Sequence, residues 1–129
     1  MRLLLDTQMF LWYVAADPRL PAPYRAVIQD PENTVYLSVV SVWEAVIKHA
    51  LGKLPLPEPP AEYLPRLRRL HGIESLSVGE HEFTALAALP SIHRDPFDRL
   101  LVAQAVHHDL TIVTSDDEVK AYPVRFLTR

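Results

Sequence analysis

Short leucine-rich or β-branched runs alternate with helical patterns along the whole chain, and no other feature constrains the fold as much. RLLL precedes TQMFLWYVAA, TVYLS precedes VVSVWEAVIKHALG, IESLS precedes VGEHEFTALAALP, TIVTS precedes DDEVKAY, and VRFL closes the series. Strand followed by helix, repeated, predicts an α/β fold: a central parallel sheet of about four to five strands with helices on both faces. PAPYRAVIQDP and PPAEYLPRLRRLHG read as two further helices bounded by proline. Twelve prolines and three glycines mark element ends. The densest proline cluster, LPLPEPP, reads as a stiff connector and not as a domain linker, so residues 1–129 are expected to form one domain.

Such a length buries roughly two-thirds of the unfolded surface, so neither a disulfide nor a structural metal is required for folding. The chain has no cysteine, which fits a reducing cytoplasm. Its apolar run MFLWYVAA falls far short of the ~20 residues that span a bilayer, and the expectation is an untargeted protein with no membrane partner. A net charge of -3 argues against a non-specific nucleic-acid coat, which needs a basic face. It leaves a nuclease open, because a site built of carboxylates is negative before its cation binds.

Four acids stand out: Asp6 closing RLLLD, Glu44 in SVWEAVIK, Asp98 in HRDPFDRLLVAQA and Asp116 in TIVTSDD. Asp6 and Asp116 follow strand-like runs, at the carboxyl ends where open parallel sheets bind ligands. Glu44 shares a helical stripe with Val40, Ile47 and Leu51, and Asp98 shares one with Leu101, Val102 and Ala105, where a carboxylate is costly. Each also has a structural reading. Asp6 and Asp116 suit helix caps, Ser41-x-x-Glu44 has capping-box spacing, Glu44 can pair with Lys48, and Asp98 suits a helix dipole behind an Asp95-Pro96 cap. Capping does not explain why all four should fall at one edge of the sheet. Clustered carboxylates repel, and a divalent cation relieves that. Hard oxygen donors without zinc-like His or Cys spacing favour Mg²⁺, with Mn²⁺ able to substitute. His93, His107 and His108 read as surface or approach residues.

In this order and spacing, LLLDTQMFLW, SVVSVWEAVIKHALGKL, HRDPFDRLLVAQA and TIVTSDDEVKAY resemble the PIN-domain ribonucleases, specifically the VapC-type toxins of toxin–antitoxin pairs. The resemblance covers nearly the whole chain, and DPFDRLLVAQA with TIVTSD is its specific part. It implies a PIN-like three-layer fold and a catalytic tetrad of Asp6, Glu44, Asp98 and Asp116, with Ser115 or Thr114 beside the fourth. Asp117 is an alternative to Asp116. It further implies a Mg²⁺-dependent endoribonuclease. Asp6, Asp98 and Asp116 would hold the metal, with Glu44 bound directly or through water, and a metal-activated water would hydrolyse the RNA phosphodiester to a 5′-phosphate and a free 3′-hydroxyl. Thr7 and Ser115 can position phosphate or water, or act as plain helix caps, while Lys48, Arg94 and Arg99 are candidates for the RNA approach.

Two other classes are weighed. A receiver-like phosphoacceptor would carry an adjacent acidic pair after its first strand and a lysine after its last, but here the first strand ends Asp6-Thr7-Gln8 and VRFLTR supplies only arginine. A non-catalytic PIN-fold protein-binding module is the other. Phe10, Leu11, Trp12, Tyr13 and Val14 exceed what one helix on a sheet can bury, and EYLPRLRRL adds Tyr63, Leu64, Leu67 and Leu70. A groove involving Trp12, Tyr63 and Leu67 is therefore expected to take a cognate antitoxin, with core filling as the competing use of these side chains. A homodimer is expected through the Trp43 helix and the EFTALAAL helix.

Overall fold

The computed structural model describes residues 1–92 and 95–127 of the chain. Elements follow in the order β1 (Arg2–Leu5), α1 (Thr7–Val14), α2 (Ala22–Gln29), β2 (Thr34–Ser38), α3 (Val39–Ala50), α4 (Pro60–Leu70), β3 (Glu74–Leu76), α5 (Glu82–Ala88), α6 (Pro96–His107), β4 (Thr111–Val113) and α7 (Asp117–Lys120). The sheet has four strands in the order β3-β2-β1-β4, and every pairing is parallel. The expected final strand VRFL contributes a single parallel bridge, Ile112 to Phe126, on the outer edge of β4. Hydrogen bonds from Ile112 N–H to Arg125 O and from Leu127 N–H to Ile112 O hold it there.

Side chains on β1 alternate between two cores. Leu3 and Leu5 pack with Met9, Phe10, Tyr24, Val35, Leu37, Leu64 and Val113 on one face. On the other, Leu4 packs with Leu101, Val102, Ala105, Leu110, Ile112 and Tyr122. Both faces are buried, which is why RLLL is a continuous apolar run and not an alternating one. Helices α1, α2 and α4 cover the first face, and α5, α6 and α7 the second. Helix α3 serves both, through Ala45 on one side and Val40 on the other.

The expected surplus of apolar surface on α1 is mostly core. Phe10, Leu11 and Tyr13 are buried, because α2 and α4 pack over the helix and give it more than a sheet to bury against. Trp12 and Val14 remain half-buried. On α4, Tyr63 and Leu64 are core, Leu67 packs against that core from a half-buried position, and Leu70 is exposed.

The turn into α3 differs from the capping-box expectation. Ser38, not Ser41, is the N-cap, its Oγ accepting from Val40 N–H. The helix starts directly where β2 stops, so Ser41 already lies inside it. Its other end is a left-handed Gly52 (φ +72°), a backbone shape that glycine adopts without strain. Leu51, expected on the Glu44 stripe, is the exposed C-cap of α3. Among the described residues no helix is long and apolar enough to cross a membrane.

Candidate active site

The chain reverses its direction of sheet building at β1. It runs outward through β2 to β3, then returns to place β4 on the other side of β1. Asp6 follows β1, and its N–H continues the ladder to Val113 O at 3.0 Å. Asp116 follows β4 by three residues. Both therefore emerge at the switch between β1 and β4, on the carboxyl edge of the sheet.

A cleft of about 280 Å³ at this edge is lined by Asp6, Glu44, Asp98 and Asp116, together with Thr7, Lys48, Asp95 and Ser115. Asp6 caps α1, with Oδ1 accepting from Met9 N–H at 2.8 Å. Asp116 caps α7, with Oδ1 accepting from Glu118 N–H at 2.9 Å. Buried Thr114 joins the two: its hydroxyl bonds Asp6 and accepts from Asp116 N–H at 3.0 Å. The caps expected from sequence thus exist, and the same residues line the cleft.

Glu44 reaches the cleft from the buried side of α3. Thr7 Oγ1 lies 2.6 Å from Glu44 Oε1 and 2.8 Å from Ser41 Oγ. A carboxylate only accepts, so the single Thr7 proton goes to Glu44 and Ser41 supplies the other bond. Glu44 Oε2 pairs with Lys48 one turn along α3. Asp98 sits in the first turn of α6, behind the Asp95 cap, which accepts from Phe97 and Asp98 N–H. Asp95 was read from sequence only as a cap, and its place in the cleft is new. The signal was present in D-P-x-D, since residues three apart share a helix face.

Charge dominates this arrangement. Burial pushes the Asp98 carboxyl up to about 7, with the charges of Asp95, Glu44, Asp6 and Asp116 acting the same way. Burial likewise pushes Asp6 to about 6, against the bonds from Thr114 and Met9 that pull it down. For Lys48, burial works against the ammonium, but the bond to Glu44 and the charges of Glu44, Asp95 and Asp98 together raise its pKa. Among the described residues no three His, Cys, Asp or Glu side chains converge to hold one ion as they lie. The donor set fits a hard divalent cation by its chemistry: it offers carboxylate oxygens from four elements, whose mutual repulsion a cation would relieve.

Other predicted residues fall elsewhere. Arg99 binds Pro90 O at 2.9 Å and Tyr122 Oη at 3.1 Å and does not line the cleft. Arg94 and His93 lie outside the described residues. Asp117 is exposed on the first residue of α7, outside the cleft lining. His108, read as a surface residue, is half-buried and pairs with buried Glu82 at 2.7 Å. Trp12 and Tyr63 line a second groove with Leu11, Leu54 and Leu56, whereas Leu67 does not line it. In that groove's wall the buried Trp12 Nε1 has no hydrogen-bond partner.

Residues 3–124 match the PIN domain family. Ribonuclease VapC16 of Mycobacterium tuberculosis (strain ATCC 25618 / H37Rv) is 47% identical over 72 residues, covering 53% of this chain and 50% of that protein. The chain thus spans about half the length of the curated relative it matches. The crystal structure of VapBC2 from Rickettsia felis, bound to a DNA fragment from its promoter, superposes with a TM-score of 0.74 at 16% identity, covering 98% of each chain. FitAcB from Neisseria gonorrhoeae superposes with a TM-score of 0.63 at 22% identity, covering 98% of this chain and 96% of that one. At these identities the structural likeness speaks for the fold.

The raised carboxyls give a signed pH dependence in protein stripped of divalent ions. Folding makes Asp6 and Asp98 harder to ionise, so their contribution to stability is complete below 3.8 and is lost as pH rises through about 6 and about 7. Asp98→Asn removes its share of that loss. In chelator the variant is expected to melt about a few degrees above wild type near pH 8, the gap closing towards pH 4. Melting curves at both pH values check this, and a pH-independent difference would contradict the charge argument.

Proposed function

We propose, from the fact that the chain belongs to the PIN domain family, that it is a Mg²⁺-dependent endoribonuclease acting as the toxin of a type II toxin–antitoxin pair. The observation that carries this is the delivery of Asp6, Glu44, Asp98 and Asp116 from four separate elements into one cleft at the carboxyl edge. The 47% identity to a named VapC ribonuclease over part of the chain supports the RNA substrate.

Asp6, Asp98 and Asp116 would hold the cation, with Glu44 as a further ligand or a bond to a coordinated water. When bound, a divalent cation supplies a water that is nucleophilic near neutral pH and offsets charge on the scissile phosphate. The chain's own residues set the geometry. The caps on Asp6 and Asp116 fix one oxygen of each carboxylate, and Thr114 ties the two acids together. Thr7 fixes Glu44, so its hydroxyl serves the carboxylate before any substrate. Exposed Ser115 keeps a place at the cleft from which to position phosphate or water. Hydrolysis forms a bond from water oxygen to phosphorus, breaks P–O3′ and returns a proton to O3′, leaving a 5′-phosphate and a 3′-hydroxyl. Cleavage of RNA by the purified protein should require Mg²⁺ or Mn²⁺ and fall by orders of magnitude in Asp98→Asn. Full activity in that variant would sink the tetrad.

The antitoxin is assigned to the groove lined by Trp12 and Tyr63. Its support is the buried Trp12 Nε1, a donor whose unmet bond costs about 1–3 kcal/mol until a partner carbonyl accepts it. Solved relatives of the same fold include a VapBC complex. Trp12→Phe keeps most of the ring area and deletes the donor. It should weaken antitoxin binding about five- to tenfold, read by calorimetry, with the melting temperature of the free chain unchanged or raised.

Self-association is assigned to α3. Val39, Trp43 and Val46 are exposed at helical spacing on one face, Trp43 lies edge-on to Phe97 at 4.8 Å, and Phe83 on α5 is exposed as well. This ridge suits a two-fold contact. Light scattering should return twice the chain mass at micromolar concentration, and Trp43→Glu should return it to the 14.7 kDa of one chain.

A further inference from the structure

Among the described residues the cleft is lined by five carboxylates, those of Asp6, Glu44, Asp95, Asp98 and Asp116, and by one basic side chain, Lys48. Lys48 stands one helical turn beyond Glu44 on α3, a spacing at which a glutamate followed by a lysine pairs favourably. Both oxygens of Glu44 are thereby taken, Oε1 by Thr7 and Oε2 by the Lys48 ammonium. These two bonds differ in kind. Thr7 is buried and anchored to the start of α1, and it leaves Glu44 its full charge. Lys48 is a cation on a flexible four-carbon stem, its side chain 38% exposed, and it can leave without disturbing the fold.

We infer that Lys48 is the resident counter-ion of Glu44, holding its Oε2 in the metal-free protein and giving way to the divalent cation, so that the Lys48–Glu44 pair and metal capture at Glu44 exclude one another. This rests on the proposed metal site. Its physical basis is that one carboxylate oxygen facing two cations of different charge cannot serve both at bonding distance, and like charges so close repel. Lys48 is a positioning residue in this account: it keeps Glu44 extended into the cleft when no metal is there, and it sets how tightly the metal must bind to take its place. The charges of Asp95 and Asp98 draw the ammonium inward, which keeps it near the mouth once displaced.

The test is calorimetric titration of Mn²⁺ into the chelator-stripped 129-residue chain, with wild type, Lys48→Met, Glu44→Gln and the double variant. Lys48→Met keeps the apolar stem and removes the cation. It should bind Mn²⁺ roughly three- to tenfold more tightly than wild type, the scale of one partly exposed ion pair no longer to be broken. In the Glu44→Gln background the same substitution should change the affinity by less than about twofold, because no pair is left to break. An unchanged or weaker affinity in Lys48→Met overturns the inference. An equal gain in both backgrounds also overturns it, since the effect would then be long-range charge alone. Should Lys48→Met fail to fold by circular dichroism, Lys48→Gln serves the same comparison. A wild type that takes up no Mn²⁺ fells the metal reading itself, an outcome distinct from failure of the Lys48 inference.

Discussion

Strand β1 is hydrogen-bonded along both edges to parallel neighbours, β2 on one side and β4 on the other, and the rest of the molecule depends on that pairing. Parallel alignment sends every strand out at the same edge, so acids following β1 and β4 must meet there whatever the helices do. It also demands a crossover between strands, and the crossovers supply α3 and α6, which bring Glu44 and Asp98 to the same place. A buried Gln104 locks these two helices in register: its Oε1 accepts from Ser38 Oγ at 2.5 Å, at the cap of α3. Ser38 therefore sets both the start of α3 and its position against α6.

Capping and cleft lining look like rival uses of an acid, yet a carboxylate has two oxygens and a cap needs one. Asp6 and Asp116 each give one oxygen to a backbone N–H at a helix start. That bond fixes the direction of the second oxygen at little cost, since the cap would be needed in any case. Helix starts also carry positive partial charge, which favours the anion that the neighbouring acids disfavour. Three helix N-termini, those of α1, α6 and α7, meet the cleft with Asp6, Asp95 and Asp116 as their caps. These N-termini help a single edge to carry so much negative charge, beside Lys48, the one basic side chain that lines the cleft among the described residues.

The elements were legible because their periods are clean: RLLL and TIV read as fully buried strands, and the α6 stripe of Leu101, Val102 and Ala105 is buried as its spacing requires. What failed was information that is not local. Ser41-x-x-Glu44 matches a capping box in isolation, but β2 runs into α3 with no loop, and the true cap is three residues earlier. The apolar run on α1 looked too large for one helix because sequence does not tell that α2 and α4 both fold over it. Asp95 and Asp98 share a helix face, yet only the packed structure shows that this face is the one turned to the cleft. The acids themselves were legible because strand ends and helix starts are positions that sequence marks, whereas the side-chain pairing of Thr7 with Glu44 depends on the docking of α1 against α3.

A second buried acid, Glu82, stands in contrast to the cleft. It is almost wholly enclosed between α5 and α6, where His108 meets Oε1 at 2.7 Å, while Gln104 and the Gly79 N–H reach Oε2 at 3.1 and 3.3 Å. Its neighbours are donors, matched to a carboxylate's acceptors, and such a group is satisfied by the protein alone. Asp98 has four other carboxylates close enough to act on it, and with burial they push its carboxyl to about 7. The sequence had donors available, for it builds the Glu82 site one helix face away on the same α6. Around Asp98 it places acids instead, and among the described residues Lys48 is the one basic side chain that lines the cleft. The two sites on one helix therefore differ in physical character: the first matches a carboxylate with donors inside the core, and the second gathers acids at an open edge, where each raises the cost of ionising the next.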